Sequence, residues 1–536
     1  MVNQALEQQL DSPWDGARFA RERTTGVLMG LNWSQVIALA VALGLMMILV
    51  FIGGFPRGFF TALVLGAVAA GLVVPKVKGR PLLGWAGLWL RYLLRGARNQ
   101  LTFVRRDSRD DEDDDEVSAV PAAPVLMPGD VSTARDESGR IKPGAGARFR
   151  LPGEANELRV YTLPSGAGFV YDPRRGEGIV CAKINTSKAF TLESFDAQED
   201  RTANWSEAIS AIARMPGVVR VQHADQTTLI SGTKVMEFYQ QKGTEATEAG
   251  QVSGEQVNPF LHAAFVELMA EAQDMPVHET WLTIVLSREK VAKRVKSLGG
   301  GLPGFMQVAL SVMTTIEGML PASGTIVQSW HSPRSLAALI RSAFDPDASV
   351  VISERSGNWV GVAPSSAGPV AMEVFSDHVH TDGYLHRTYK VSEFPQAQAR
   401  LGFLEPLIFA GDFRHTVSVV WSPRDVRQAL NKVQRRKADW LTTTRLLEKM
   451  DKPKSLEHDR EKEDINREET ELVDGHARLD LAVLITVTGR DEMELEANCS
   501  DVLARAVNAN CELRVVFLEQ DAALLAAALP FGMVEM

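Results

Sequence analysis

Trp33 to Val74 reads WSQVIALAVALGLMMILVFIGGFPRGFFTALVLGAVAAGLVV, and its one ionisable side chain is Arg57. Two uncharged runs, Trp33–Ile52 and Phe59–Val74, flank a break of Gly53, Gly54, Phe55, Pro56, Arg57 and Gly58. A span of a ~30 Å hydrocarbon core takes about 20 helical residues, so the first run is long enough and the second is short. Glycine and proline end helices, so the stretch predicts a tight two-helix transmembrane hairpin over 33–76. A cleaved signal peptide does not fit: 32 residues precede the first run, with Asp11, Asp15 and Glu22 among them, and a second run follows directly. A buried soluble helix pair is the weaker alternative.

Lys/Arg placement gives an orientation. Arg18, Arg21 and Arg23 precede the first run; Lys76, Lys78, Arg80, Arg91, Arg95 and Arg98 follow the second; only Arg57 lies between. Positive residues stay inside, so the expected location is the inner (cytoplasmic) membrane, multi-pass, with residues 1–32 and the large C-terminal body both cytoplasmic. Over 77–106, Trp85 and Trp89 alternate with Arg91, Arg95 and Arg98, which predicts a basic amphipathic interfacial helix on anionic lipid. The alternative is a core helix of the first soluble domain. The membrane-interface candidates are therefore Trp33, Arg57, Trp85, Trp89, Arg91, Arg95 and Arg98.

This partition shows in the charges. Residues 1–106 hold 12 Lys+Arg against 4 Asp+Glu, a net of +8; of the chain's 57 and 67, the remaining 430 residues hold 45 and 63, a net of −18. An acidic body is a poor surface for neutralising phosphates, so direct nucleic-acid binding is not expected. Asp107–Glu116 carries eight carboxylates in ten residues, and Pro, Ala, Gly and Ser follow. Residues 107–152 thus read as a disordered acidic linker that holds the body off the membrane. The three cysteines, Cys181, Cys499 and Cys511, have no ligand-type spacing and read as small buried hydrophobes.

Beyond the linker, strand and helix patterns alternate. Leu479, Leu481, Val483, Ile485 and Val487 alternate strictly, as in a half-buried strand. Asp491 with Glu494 opens a helix as a capping box, and Asp521 caps a last one. The fold class is α+β: after the hairpin, two modules with mainly antiparallel sheets, 153–348 and 349–536. An echo, Trp330-His331-Ser332-Pro333-Arg334 against Trp421-Ser422-Pro423-Arg424, favours two related halves, with coincidence as the alternative. Residues 425–476 are strongly ionic and read as a helical arm, either plainly solvated or a docking surface.

Chemistry is sparse. Ser297–Gly304 is glycine-rich but lacks the Lys and Ser/Thr of a phosphate loop. His378, His380 and His386, with Asp377 and Asp382 nearby, are weak candidates for a metal site, because two histidines at i, i+2 share a strand face. With no catalytic signature, the expectation is a non-enzyme with no cofactor and no assigned catalytic or metal residue.

Gly402-Phe403-Leu404-Glu405-Pro406-Leu407-Ile408, Arg414–Val420, Glu471–Ala477 and Glu519–Pro530 resemble a family of actinobacterial integral membrane proteins of conjugation modules. In them a membrane hairpin is joined to a region similar to the non-motor part of the VirB-type conjugative type IV secretion ATPases. The resemblance implies a scaffold that docks a separate conjugation ATPase and inner-membrane secretion channel subunits, oligomeric within that complex and in contact with the lipid bilayer. In those ATPases the motor domain follows the Leu-Pro stretch; this sequence offers no Walker motif to carry over, so the motor is expected to be a separate polypeptide. The rivals are a membrane component of a type VII-like secretion machine and a membrane-bound metal-dependent enzyme using His378 and His380.

Overall fold

The computed structural model describes residues 33–73, 76–77, 80–105, 146–186, 190–231, 239–241, 243, 258–271, 274–355, 360–395, 401–424, 426–449, 456–473 and 478–534. The cytoplasmic segment 1–32 and nearly all of the expected linker, 107–145, lie outside the described residues. Two compact units organise the chain: one from residues 18–101 with Phe517–Glu519, the other from the remainder.

In the first unit, α1 (Trp33–Gly53) and α2 (Phe59–Val73) precede α3 (Leu82–Ala97). The stretch Ile37–Ala69 is long and apolar enough to cross a membrane. Its helical path is interrupted at Phe55, whose backbone (φ −89°, ψ 134°) leaves the helical range. A Cβ on Gly58 would lie 2.6 Å from the Leu49 carbonyl oxygen, so the backbone passes too close there for any side chain. Gln35 Nε2 donates to the Val73 carbonyl at 2.6 Å, which joins the first turn of α1 to the last residue of α2.

The second unit is α+β and is built on one 14-stranded sheet, every pairing of which is antiparallel. In chain order its elements begin with β1 (Thr102–Val104), β2 (Ala147–Arg148), β3 (Arg159–Thr162), β4 (Gly168–Asp172) and β5 (Glu177–Thr186). There follow α4 (Phe195–Arg214), β6 (Val218–Ser231), α5 (Pro259–Glu271), β7 (Asp274–Ser287), α6 (Ala292–Ser297), α7 (Gly301–Met319), β8 (Thr325–Trp330), α8 (Pro333–Phe344) and α9 (Pro346–Ser353). The rest comprises β9 (Ala371–Val374), β10 (Val379–Thr381), β11 (Tyr384–Glu393), α10 (Glu405–Ile408), β12 (His415–Pro423), α11 (Val426–Lys449), α12 (Leu456–Val473), β13 (Leu479–Gly489), α13 (Glu492–Asn508), β14 (Glu512–Val515) and α14 (Gln520–Ala528). The spatial order is β1-β9-β10-β11-β13-β12-β6-β7-β5-β4-β3-β2, with β8 added to β5 and β14 to β11.

That order is the same read from either edge. The central pair β6–β12 is flanked by β7 and β13, then by β5 and β11, then by β4 and β10. The register agrees. Thr283 stands opposite Gln222 and Cys181, and Thr486 stands opposite Thr416 and Thr388. His331 N donates to Cys181 O (2.9 Å) where Val516 N donates to Thr388 O (3.1 Å). These equivalences meet at the Ala224–Ser418 pair, so an approximate two-fold axis passes there, normal to the sheet. The halves expected as two modules are thus two repeats of one motif sharing a single sheet.

The tryptophan echo is not this repeat. Ser332 caps α8 by accepting from Ser335 N, and Pro333 opens the helix, but Pro423 is a strand residue of β12 paired with Leu479. The two-fold matches Trp330 with Val515, through Ala182 and Tyr389.

Two further expectations shift. Thr102–Val104, assigned with the interfacial helix, pairs with Ala371–Glu373 as an edge strand of the body. Ala147–Arg148, assigned to the linker, pairs with Val160 and Arg159. Only residues 98–101 separate α3 from β1. Asp521, expected as a cap, lies inside the first turn of α14.

Pleating puts Val221, Leu282, Ile284, Val417, Val419, Val483 and Ile485 on one face, buried under α4 and α7 in the first half and α13 in the second. Each such side chain contributes about 1.5–3 kcal/mol on burial. The opposite face is also buried; it mixes polar residues such as Gln222, Gln226, Thr283, Thr416, Ser418 and Thr486 with Trp281, Val285, Val420 and Leu484, and α8, α9 and α14 cover it.

Candidate functional site

The sequence-predicted interface residues fall on α1, α3 and the break before α2. Phe51 (91% exposed), Ile52 and Phe55 present large apolar surface around Arg57, itself exposed. Trp33 opens α1; its side chain lies outside the described residues. At about 100° per residue, Arg91, Arg95 and Arg98 project within roughly 60° of arc at the end of α3. Leu90, Leu93 and Leu94 are exposed on an adjoining stripe. Leu88 is buried, Trp85 half-buried, and Trp89, half exposed, meets the Tyr92 ring edge-on at 6.2 Å. A cationic stripe beside an apolar one suits anionic headgroups over acyl chains.

The three histidines do not converge. His386 is fully buried; its Nε2 lies 2.6 Å from Thr381 Oγ1 and its Nδ1 2.9 Å from Thr488 Oγ1. Burial drives its pKa down to about 3, so it is neutral and hydrogen-bonded on both sides. Val379, opposite His386, shares its face, whereas His380 projects to the other, exposed side of the strand. His378 stacks on Phe375 (4.6 Å) with Nδ1 3.0 Å from Asp377. The two acids have structural partners: Asp377 pairs with Arg387, and Asp382 accepts from the Val370 and Ala371 N–H groups. Among the described residues no group of three or more His, Cys, Asp or Glu is arranged to hold a metal. The cysteines are buried, and burial pushes the Cys181 thiol up to about 12, which removes nucleophilic character.

A second cluster was not foreseen from sequence: the buried polar face of the sheet. Gln222 Nε2 lies within hydrogen-bond distance of Ser418 Oγ and of the Ala526 and Leu529 carbonyls, while its Oε1 accepts from Gly532 N at 2.8 Å. This one side chain fixes the end of α14 to the centre of the sheet. Gln520 clasps the Thr388 peptide, accepting from its N–H (2.8 Å) and donating to its carbonyl (3.0 Å). Arg414 donates to Thr227 O, Thr228 Oγ1 and Ser342 O, which binds β12, β6 and α8 together. Burial lowers the Arg414 pKa to about 9.

Beside it, burial works against the charge of Glu279, but Lys183 at 2.6 Å outweighs it, with His331 and Arg414 adding to the effect, and holds the carboxyl below the usual range. His331 is pulled down to about 4 by burial. Among the described residues, Gln226 Oε1, Trp281 Nε1 and His331 Nε2 are buried without a hydrogen-bond partner. Such a layer can fix helices to a sheet with directional bonds: His331 Nδ1 lies 3.1 Å from Ser335 Oγ, which itself donates to the Ser332 carbonyl at 3.2 Å. In the sequence its only trace was polar residues at i, i+2 or i, i+4 within apolar strands (Gln222, Gln226, Thr228; Thr416, Ser418; Thr486, Thr488), a pattern shared with ordinary solvent-facing positions.

In comparisons with known proteins, no family model and no curated protein matches this chain.

Proposed function

We propose that this chain is a membrane-anchored, non-catalytic scaffold of a conjugative type IV secretion apparatus that docks a separate ATPase at the cytoplasmic membrane. The observation carrying the anchor is the exposed apolar surface of α1 and α2 beside the arginine stripe of α3. In this reading α1 and α2 form a transmembrane hairpin, favoured by the Gln35–Val73 bond, and both termini are cytoplasmic. The charged hairpin of α11 and α12 is a docking arm: Arg436 pairs with Glu468 at 2.8 Å, Lys437 with Glu469, and a small core of Ala429, Val433, Ile465 and Leu472 holds the two helices together. The conjugative assignment draws on the sequence resemblance around 402–420, 471–477 and 519–530.

Carbonate extraction tests the anchor: the full chain is expected to stay with the membrane pellet, and release into the supernatant would reject it. For the role, deleting the gene in a host whose conjugation module carries it is expected to abolish DNA transfer. Transfer at the parental frequency would reject the scaffold reading while leaving the anchor standing.

A further inference from the structure

The two-fold axis makes the junction after β7 equivalent to the junction after β13, and there the halves carry opposite charge. Residues 288–296 hold Arg288, Lys290, Lys293, Arg294 and Lys296 against Glu289; residues 490–496 hold Asp491, Glu492, Glu494 and Glu496 against Arg490. In each case buried residues turn the charges outward. Val291 and Val295 seal the first junction to the core, with Lys290, Lys293, Arg294 and Lys296 exposed around them. Leu495 and Cys499 do the same for the second.

The fold does not require the basic character, since the same strand-to-helix step is built with acids in the other half. Intramolecular pairing does not account for all of it either. Lys290, Lys293 and Lys296 make no ion pair among the described residues, nor does Glu492. Asp491 and Glu494 have a local role, accepting from Glu494 N and Arg490 N. Glu496 pairs with Arg387 but keeps 62% of its side chain exposed. Each patch also has an exposed apolar residue, Leu298 (43%) and Met493 (81%).

Three antiparallel pairings, β7–β6, β6–β12 and β12–β13, separate the strands that lead into these patches. Strands β7 and β13 therefore run in opposite directions, and their C-terminal ends leave the sheet at opposite ends of the body. We propose that the basic end of one copy of this chain binds the acidic end of the next. This is a heterologous, head-to-tail contact in which Lys290, Lys293 and Lys296 face Glu492 and Glu496, with Leu298 and Met493 supplying apolar surface. The contact stands apart from the membrane assignment, since neither patch belongs to α1, α2 or α3.

The test uses the full chain in detergent micelles, with sedimentation at low and high salt. The wild type is expected to associate at low salt and to dissociate as salt screens the contact. Lys290→Glu/Lys293→Glu/Lys296→Glu leaves two acidic ends, and Glu492→Lys/Glu496→Lys leaves two basic ends; each variant alone should associate about tenfold or more weakly than wild type. An equimolar mixture of the two should restore association, which also shows that both are folded. Because Glu496 pairs with Arg387, the mixture is repeated with Glu492→Lys alone. The proposal is overturned by a monomeric wild type at low salt, by association indifferent to both reversals (as contact through α1 and α2 would be), or by mixtures that fail to associate.

Discussion

Arg220 and Arg414 hold the same position in the two halves of the sheet, opposite Val285 and beside Thr488 respectively, yet their surroundings differ. Arg220 pairs with Glu177 and lies partly open to solvent. Arg414 is covered by α8, makes no ion pair among the described residues, and is held by backbone and hydroxyl oxygens. The repeated backbone fixes where an arginine stands; the helix laid over it decides whether the side chain is a surface partner or a buried fastener. Truncation should separate the two roles most sharply. Arg414→Ala strips three buried acceptors at once and is expected to cost about 3–4 kcal/mol of stability, against about 1 kcal/mol for Arg220→Ala. Denaturant midpoints at constant m-value measure both. Equal costs would mean that the covering helix adds nothing.

The comparison sharpens under acid. The first half buries His331 and the second buries His386, with pKa values brought by burial to about 4 and about 3. Both are depressed below the unfolded value near 6.5, so the unfolded chain takes up protons that the folded chain refuses. Stability is full above about pH 6.5 and falls as pH drops, by up to about 1.4 kcal/mol per pH unit for each histidine. The His331 contribution levels off near pH 4 and that of His386 near pH 3. Carboxylates titrate in the same range, so the readout is the difference between wild type and His386→Gln, which should keep growing between pH 4 and pH 3. A difference that is flat with pH would mean that His386 is not buried neutral.

How much of this was legible in the sequence follows from what each residue type reveals. The apolar strands announced themselves, because Val483, Ile485 and Val487 alternate with no competing pattern. The arginines of α3 were legible through their spacing of four and three. The covered polar face was not, because Thr416, Ser418, Thr486 and Thr488 alternate as solvent-facing residues do, and local sequence carries no sign of the helices that cover them. The repeat was hidden for a related reason. Equivalent positions hold Cys181 and Thr388, Ala224 and Ser418, or His331 and Val516, which share a place in the ladder and little chemistry. The short strand Thr102–Val104 was lost beside the acidic run, where composition outweighed three residues of edge pairing.

One rung isolates the smallest difference between the halves. Thr388 and Thr486 sit opposite one another in the second half, with their hydroxyls 2.9 Å apart. In the first half the same rung holds Cys181 and Thr283. Thr283 Oγ1 is buried without a good partner, since a thiol hydrogen-bonds weakly. Valine matches threonine in shape and removes only the hydroxyl, so the same substitution asks a different question of each half. Thr486→Val leaves the buried Thr388 hydroxyl unpaired and is expected to cost about 1 kcal/mol, whereas Thr283→Val relieves an unsatisfied group and is expected to be neutral or stabilising by up to about 1 kcal/mol. Opposite signs in paired denaturation curves would show that the two-fold places the rung but that hydrogen bonding is complete in only one half. A cost of the same size at Thr283 would mean that Cys181 serves as a full partner, making the polar layer as symmetric in energy as it is in register.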